Sequence, residues 1–219
     1  MELSKNCAAY SESCAGYLLE IKAIKLSPAQ PFTWASGLKS PIYCDNRKTL
    51  SYPEIRTFIR DGLVEMIRKN YPDTEVIAGV ATGAIAQGAL VAEALKLPFV
   101  YVRSEEKKHG LTNIVEGVVE SGQKLVVVED LVSTGQSSLK AANALIDMGC
   151  NVLGMVAIFT YNLPIATQRF EDAKLSLHTL TNYPVLVEKA ANEGYIKADE
   201  IETLNQWSKD PAAWAEQYK

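Results

Sequence analysis

The chain has 219 residues, 47% of them hydrophobic and 22% charged, with a formal net charge of -4. That is enough for one α/β domain with a modest appendage and a substantial core, and the composition excludes a disordered or fibrous chain. The acidic balance excludes a general nucleic-acid binder, which would carry a basic face, although a local anion site stays compatible with it. No apolar run is long enough to cross a bilayer, and Met1-Glu2-Leu3-Ser4-Lys5 lacks the apolar stretch of a signal peptide, so a cytoplasmic location is expected. Cys7, Cys14, Cys44 and Cys150 form no C-x-x-C pair and no metal-ligand spacing, so they are expected as free thiols rather than zinc ligands.

In chain order, residues 4–25 read as an N-terminal helix, with Leu18, Leu19, Ile21 and Ile24 late in it. Pro31 to Gly37 reads as a short strand closed by a glycine turn, with its partner strand at Ile42-Tyr43-Cys44. These pieces are expected to form a small subdomain. Ser51-Tyr52-Pro53-Glu54 reads as a helix start, with Ser51 capping and Pro53 in the first turn. Ile55, Phe58, Ile59, Leu63, Met66 and Ile67 then recur at spacings of three and four, one apolar stripe that ends near Asn70-Tyr71-Pro72.

Strand and helix alternate from there. Strands are predicted at Val76–Val80, Phe99–Val102, Val115–Val119, Leu125–Val128 and Val152–Phe159. Helices are predicted at Ile85–Leu95 and Gln136–Met148, the second stopped by Gly149. Continuous apolar strands between helices argue for a parallel sheet covered on both faces, with right-handed crossovers. Ligands then bind beyond the carboxyl ends of the strands, at the loops 81–84, 103–114 and 129–135. Leu175–Leu180 reads as an alternating strand in which His178 is structural. Helices are expected to start at Thr181-Asn182-Tyr183-Pro184, at Asp199 and at Asp210-Pro211. Trp207 and Trp214 are expected to pack, and the tail holds no chemistry.

The segment Leu125-Val126-Val127-Val128-Glu129-Asp130-Leu131-Val132-Ser133-Thr134-Gly135-Gln136-Ser137-Ser138 carries the chemistry. A buried strand is followed by two acids, a small-residue turn and a helix start. The turn offers unpaired main-chain N–H groups suited to a phosphate monoester, and Gly135 lets the backbone approach. Hydroxyls of Thr134, Ser137 and Ser138 could add donors. Glu129 and Asp130 suit the vicinal hydroxyls of a ribose. Walker-type loops are excluded, since no G-x-x-x-x-G-K-[ST] occurs.

This segment resembles the signature by which type I phosphoribosyltransferases bind phosphoribosyl pyrophosphate (PRPP). Tyr101-Val102-Arg103-Ser104-Glu105-Glu106-Lys107-Lys108-His109-Gly110 looks like the catalytic loop of the orotate phosphoribosyltransferase family within them. Gly79 to Ala84, with Thr82, looks like the family's pyrophosphate loop. Phe32 to Tyr43 is similar to its hood over the orotate ring, and Lys25 matches a family lysine near PRPP. Arg47 is a candidate for the orotate carboxylate on charge complementarity alone.

The resemblance implies an α/β, parallel-sheet type I phosphoribosyltransferase fold in a single domain over 1–219. That domain would have a hood over about 1–50, a core over about 51–180 and C-terminal helices over about 181–219. It implies an enzyme that takes PRPP and orotate, with Mg2+ carried on the substrate and no metal ligand directly from the protein. PRPP would be held by Arg103, Lys107, His109, Glu129, Asp130, Leu131, Val132, Ser133, Thr134, Gly135, Gln136 and Ser137, with Ser133 also on orotate. Lys107, His109, Arg103 and Asp130 are the expected catalytic residues. In the family the loop reaches the neighbouring subunit's site, so a homodimer is implied, with neither nucleic acid nor membrane as partner. Three departures stand out: Ser104 and Thr82 replace lysines that many members carry, and Thr160-Tyr161-Asn162 replaces a stretch where some carry an arginine. Lys108 would compensate for one lysine. A purine phosphoribosyltransferase and a PRPP-binding regulator of the same fold are the alternatives.

Overall fold

A computed structural model describes residues 2–34, 36–103 and 114–218. The chain opens with α1 (Glu2–Glu20), β1 (Ile24–Leu26), β2 (Phe32–Thr33), β3 (Lys39–Ser40) and β4 (Ile42–Cys44). A 3-10 turn over Asn46–Ser51 leads into α2 (Pro53–Asn70). The core follows with β5 (Val76–Val80), α3 (Ile85–Leu95), β6 (Phe99–Val102), β7 (Val115–Glu116), β8 (Lys124–Val132), α4 (Gln136–Asp147), β9 (Asn151–Thr160), α5 (Pro164–Asp172) and β10 (Leu177–Asn182). The tail holds α6 (Tyr183–Asn192), α7 (Glu200–Lys209), α8 (Pro211–Ala215) and a closing 3-10 turn over Glu216–Tyr218.

The central sheet has the order β10-β9-β8-β5-β6-β7, and its first five strands run parallel. Its central strand β5 is buried at every position, and β8 from Leu125 to Val128, because both faces are covered. Leu125 and Val127 of β8 join the cluster that includes Leu139 and Leu145 of α4 and Phe170 of α5. Val126 and Val128 join the opposite cluster, with Leu18 of α1, Ile59 of α2, Val91 of α3 and Leu186 of α6. Side chains that alternate across a strand therefore meet a hydrophobic layer on either side.

The structure corrects several expectations. The N-terminal helix stops at Glu20 rather than running to residue 25. Lys22 turns left-handed (φ 54), and Ile24 enters the core from a strand. Ile42–Cys44 pairs with Ile24–Leu26, not with Phe32–Thr33, which pairs with Lys39–Ser40. The reason is the tightness of the turn: Gly37 (φ 84) donates to the Trp34 carbonyl at 2.8 Å, so the chain returns early, and Pro41 separates the two pairings. Ser51 closes the 3-10 turn and caps nothing; Tyr52 occupies the cap of α2 without a side-chain bond, and Pro53 starts the helix. The strand expected over 115–119 spans two residues and runs antiparallel to β6, so the sheet is mixed at that edge. α5 is an element the sequence reading left blank; Pro164 begins it. Strand β10 lies two residues later than expected, because the Asn182 side chain accepts from Val185 N at 3.1 Å and sets the start of α6 there.

Trp207 and Trp214 pack as expected. Trp207 is fully buried, with ring centroids 5.9 Å from Trp34, 5.5 Å from Tyr161 and 5.1 Å from Tyr183. This aromatic cluster ties the C-terminal helices to the turn after β2 and to the exit of β9. His178 pairs with the Tyr71 ring, and burial pulls its pKa down, which fits a structural role.

Candidate active site

At the carboxyl edge of the sheet lies a cavity of about 720 Å³. Three segments build it: the loop after β5, the loop and helix start after β8, and the chain between β4 and the 3-10 turn. Sequence places them there because each follows a strand end or a strand of the hood.

The turn expected to take phosphate is Ser133, Thr134 and Gly135. Gly135 is left-handed (φ 76), and a Cβ there would press on the Phe170 ring at 3.0 Å. Leu139 N donates to the Gly135 carbonyl at 2.9 Å, the first bond of α4. The earlier N–H groups of the helix have no intrahelical acceptor, and no side chain caps them. They open onto the cavity beside Ser133, Thr134 and Ser137. The Thr134 carbonyl is held from behind by Arg169 Nη1 at 2.9 Å. Ser138 does not add to this cradle, contrary to expectation: it is buried, and its Oγ donates to Glu129 Oε2 at 2.9 Å.

Strand β8 runs through both acids to Val132 instead of ending at Val128. Its long neighbour β9 keeps pairing with it, up to Val132 opposite Thr160. Val132 is buried, and its carbonyl accepts from Thr160 Oγ1 and from Tyr161 N, each at 3.1 Å. Glu129 is only 5% exposed, and both its oxygens accept hydrogen bonds, from Asp130 N at 3.0 Å and from Ser138 Oγ. Burial, then the neighbouring Asp130 charge, pushes the Glu129 pKa well above its ordinary value. Asp130 is half-buried and lines the cavity; burial raises its pKa too, and the Arg47 charge opposes the rise. Burial thus favours the neutral form of both acids, and Glu129 is the more deeply buried of the two.

This has a consequence for stability. A carboxyl whose folded pKa is raised binds its proton more tightly in the folded chain. Folding stability is then full below the unfolded value near 4.5 and falls as pH rises through the folded value. Glu129→Gln removes that loss. Its melting temperature is expected above that of the parent at about pH 8, with a gain of about 2–4 °C per kcal/mol, and level with it near pH 4.5. Thermal melts of both proteins across this range check the expectation, and a difference independent of pH would contradict it.

The loop after β5 brings Thr82 and Gly83 to the cavity; the Ala81–Thr82 peptide is cis. A Cβ on Gly83 would overlap the Asp130 carboxyl, so glycine lets this loop lie against the acid. Arg103 lines the same space, with Nη1 3.5 Å from Glu116 Oε1. Arg47 also lines it, with Nε 2.7 Å from Asp45 Oδ1. Lys25 is exposed on β1, opposite Tyr43, and is not among the residues lining the cavity. Lys107, Lys108 and His109 lie outside the described residues.

Sequence reading missed four contributors: Cys44, Asp45 and Lys140, which line the cavity, and Asn46 beneath it. Lys140 was legible in principle, four residues after Gln136 and so one turn along the same helix face. Asn46 carried no signal, since its partner lies 84 residues away. Among the described residues no group of three or more His, Cys, Asp or Glu is placed to hold a metal. No helix among the described residues is long and apolar enough to cross a membrane.

Known proteins resemble this chain in sequence and in fold. The family model "Phosphoribosyl transferase domain" matches residues 52–177. An orotate phosphoribosyltransferase of Bacteroides fragilis is 60% identical over 197 residues, 90% of this chain and 93% of that protein. One from Porphyromonas gingivalis is 59% identical over 200 residues, 91% of this chain and 95% of that protein. The crystal structure of the orotate phosphoribosyltransferase from Aeropyrum pernix superposes with a TM-score of 0.73 at 27% identity, covering 84% of this chain and 99% of that one.

Proposed function

This chain belongs to the orotate phosphoribosyltransferases of the phosphoribosyl transferase family, and from that premise we propose that it transfers the 5-phosphoribosyl group of PRPP to orotate. The products are orotidine 5'-monophosphate and pyrophosphate, in pyrimidine (UMP) biosynthesis. The observation that carries the reading is one cavity lined by the uncapped start of α4, the Asp130 carboxyl and two arginines, Arg47 and Arg103. A sugar bearing a phosphate at one end and a pyrophosphate at the other needs those three features together.

In this reading the main-chain N–H groups over 133–137 grip the 5'-phosphate, with Leu131 and Val132 leading the chain into the loop. Asp130, backed by Glu129, faces the ribose hydroxyls. The bond between C1' and the pyrophosphate oxygen lengthens and positive charge grows on the sugar ring, as in glycoside cleavage. A carboxylate beside the ring stabilises that charge, and Arg103, Lys107 and His109 stabilise the charge on the departing pyrophosphate. Thr82 offers the pyrophosphate a hydroxyl, and Lys108 a further cation. The orotate ring nitrogen then forms the new bond to C1'. Ser133 helps place the ring under the hood. Lys25 serves PRPP if its long side chain swings inward from β1. The guanidinium of Arg47 spends only its Nε on Asp45, so its remaining donors suit the orotate carboxylate.

Mg2+ fits such a site as a passenger. The ion would arrive on the substrate, and Asp130, a half-exposed carboxyl on the cavity wall, would be the protein group to face it. When bound it neutralises pyrophosphate charge. A homodimer in which the loop around Lys107 serves the partner's site, working in the cytoplasm, completes the reading. Loss of orotate absorbance on adding PRPP and magnesium tests the reaction. Adenine, hypoxanthine and uracil are expected to give no turnover, and EDTA is expected to abolish turnover until magnesium is restored. Turnover with a purine in place of orotate would reject the assignment.

A further inference from the structure

We propose that Asn46 is a positioning residue of the transfer reaction, holding the main chain of Asp130 so that its carboxyl points into the cavity; this rests on the function proposed above. The register between β5 and β8 stops at Val128, so β8 continues past the end of its neighbour. On its other side β9 goes on pairing with it across Asp130, at Glu129–Ala157 and Leu131–Phe159, and Asp130 has two further main-chain contacts that tie it to side chains. Its N–H donates to Glu129 Oε1 at 3.0 Å, and its carbonyl accepts from Asn46 Nδ2 at 2.6 Å.

The Asn46 amide is itself fixed from both ends. It is 2% exposed. The Asp130 carbonyl can only accept, so the amide nitrogen must face it, and Oδ1 is left to accept from Cys44 Sγ at 3.3 Å. The Asn46 carbonyl accepts from Thr49 Oγ1 at 2.6 Å, and Gln87 Nε2 of α3 reaches the same hydroxyl at 3.5 Å. One buried polar seam thus runs from the helix behind the pyrophosphate loop, through the 3-10 turn, to the acid strand. A buried amide is favourable only when satisfied, and an apolar residue at 46 would remove this bond to the Asp130 carbonyl. Asn46 is not among the residues lining the cavity, so it acts through Asp130 and not on substrate.

The test is Asn46→Asp, which keeps size and shape but replaces the donor N–H by an oxygen. At about pH 8 its kcat is expected to fall by about 10-fold or more, the scale of a small misplacement of a reacting group, with the KM for orotate unmoved. As pH falls, the new carboxyl gains a proton and can donate to the same carbonyl. The ratio of variant to wild-type kcat is therefore expected to climb several-fold between about pH 8 and about pH 5.5. The groups facing position 46 are Cys44, Asp45 and Arg47 on its own segment, Glu129 and Asp130 on β8, and Tyr161 after β9. All are present in both proteins, so the ratio isolates the new carboxyl. A ratio flat with pH, or a loss confined to orotate KM, would overturn the inference. If Asn46→Asp does not fold, Asn46→Ser carries the test. Its kcat is expected to fall with orotate KM unmoved, and a wild-type kcat overturns the proposal. A wild-type protein without turnover would overturn the proposed function and this inference together. An active wild type beside an unimpaired variant overturns this inference alone.

Discussion

Replacing Lys107 by alanine is expected to cut kcat by about 10²-fold or more, with the folded state intact by circular dichroism. Pyrophosphate leaves carrying several negative charges, and the barrier depends on how well they are stabilised as the C1'–O bond breaks. The groups able to do this in the described part of the site are few. Arg103 already shares its guanidinium with Glu116, and Arg47 shares its own with Asp45. Thr82 lines the cavity too, but a hydroxyl brings no charge. The burden therefore falls on the cations of 103–109. Steady-state kinetics with PRPP and orotate decide the matter. Turnover equal to the parent would reject Lys107 as the stabilising group.

Gly83→Ala is expected to lower kcat/KM for PRPP by about 10²-fold. The nearest atoms to a Cβ at this position are the three of the Asp130 carboxyl group. Neither side can give way cheaply. Asp130 is anchored through its N–H and carbonyl, and the loop is anchored by Ala81 N on the Val102 carbonyl at 2.8 Å and by Ala84 N on the Val80 carbonyl at 3.0 Å. The added methyl must push aside the Asp130 carboxyl or the loop after β5, and in the proposed reaction either displaces a group that has to be in place at the transition state. An added cost to folding of about 1–3 kcal/mol is expected from the overlap and is read from denaturant melts. An alanine variant with parental kcat/KM would mean that Asp130 is not held where the structure puts it.

The sheet was legible because its signals are local. Val76–Val80, Ile85–Leu95 and Phe99–Val102 fall where the apolar runs and periodicity put them. The acids, the small-residue turn and the start of α4 form one contiguous segment, so their order along the strand, turn and helix was legible too. Misreadings arose where a distant partner decides. The β2 and β4 strands are two and three residues long, too short for their own pattern to choose between neighbours. Ser138 reads as a phosphate donor in one dimension, yet helical rotation turns it inward, onto Glu129.

What the sequence determined by itself is the kind of chemistry. Two acids ahead of Ser133-Thr134-Gly135, with Arg103, Lys107 and His109 in a second segment, are groups whose charge and donor types hold in any conformation. What only the tertiary structure decided is how those groups are tuned and held: the upward push of burial on the Glu129 pKa, the carboxyl of Asp130 resting against Gly83, the Asp130 carbonyl bonded to Asn46. Each of these depends on burial or on contact between segments tens of residues apart. Such contacts exist only once β8 is enclosed by its neighbours and water is removed from around the pair.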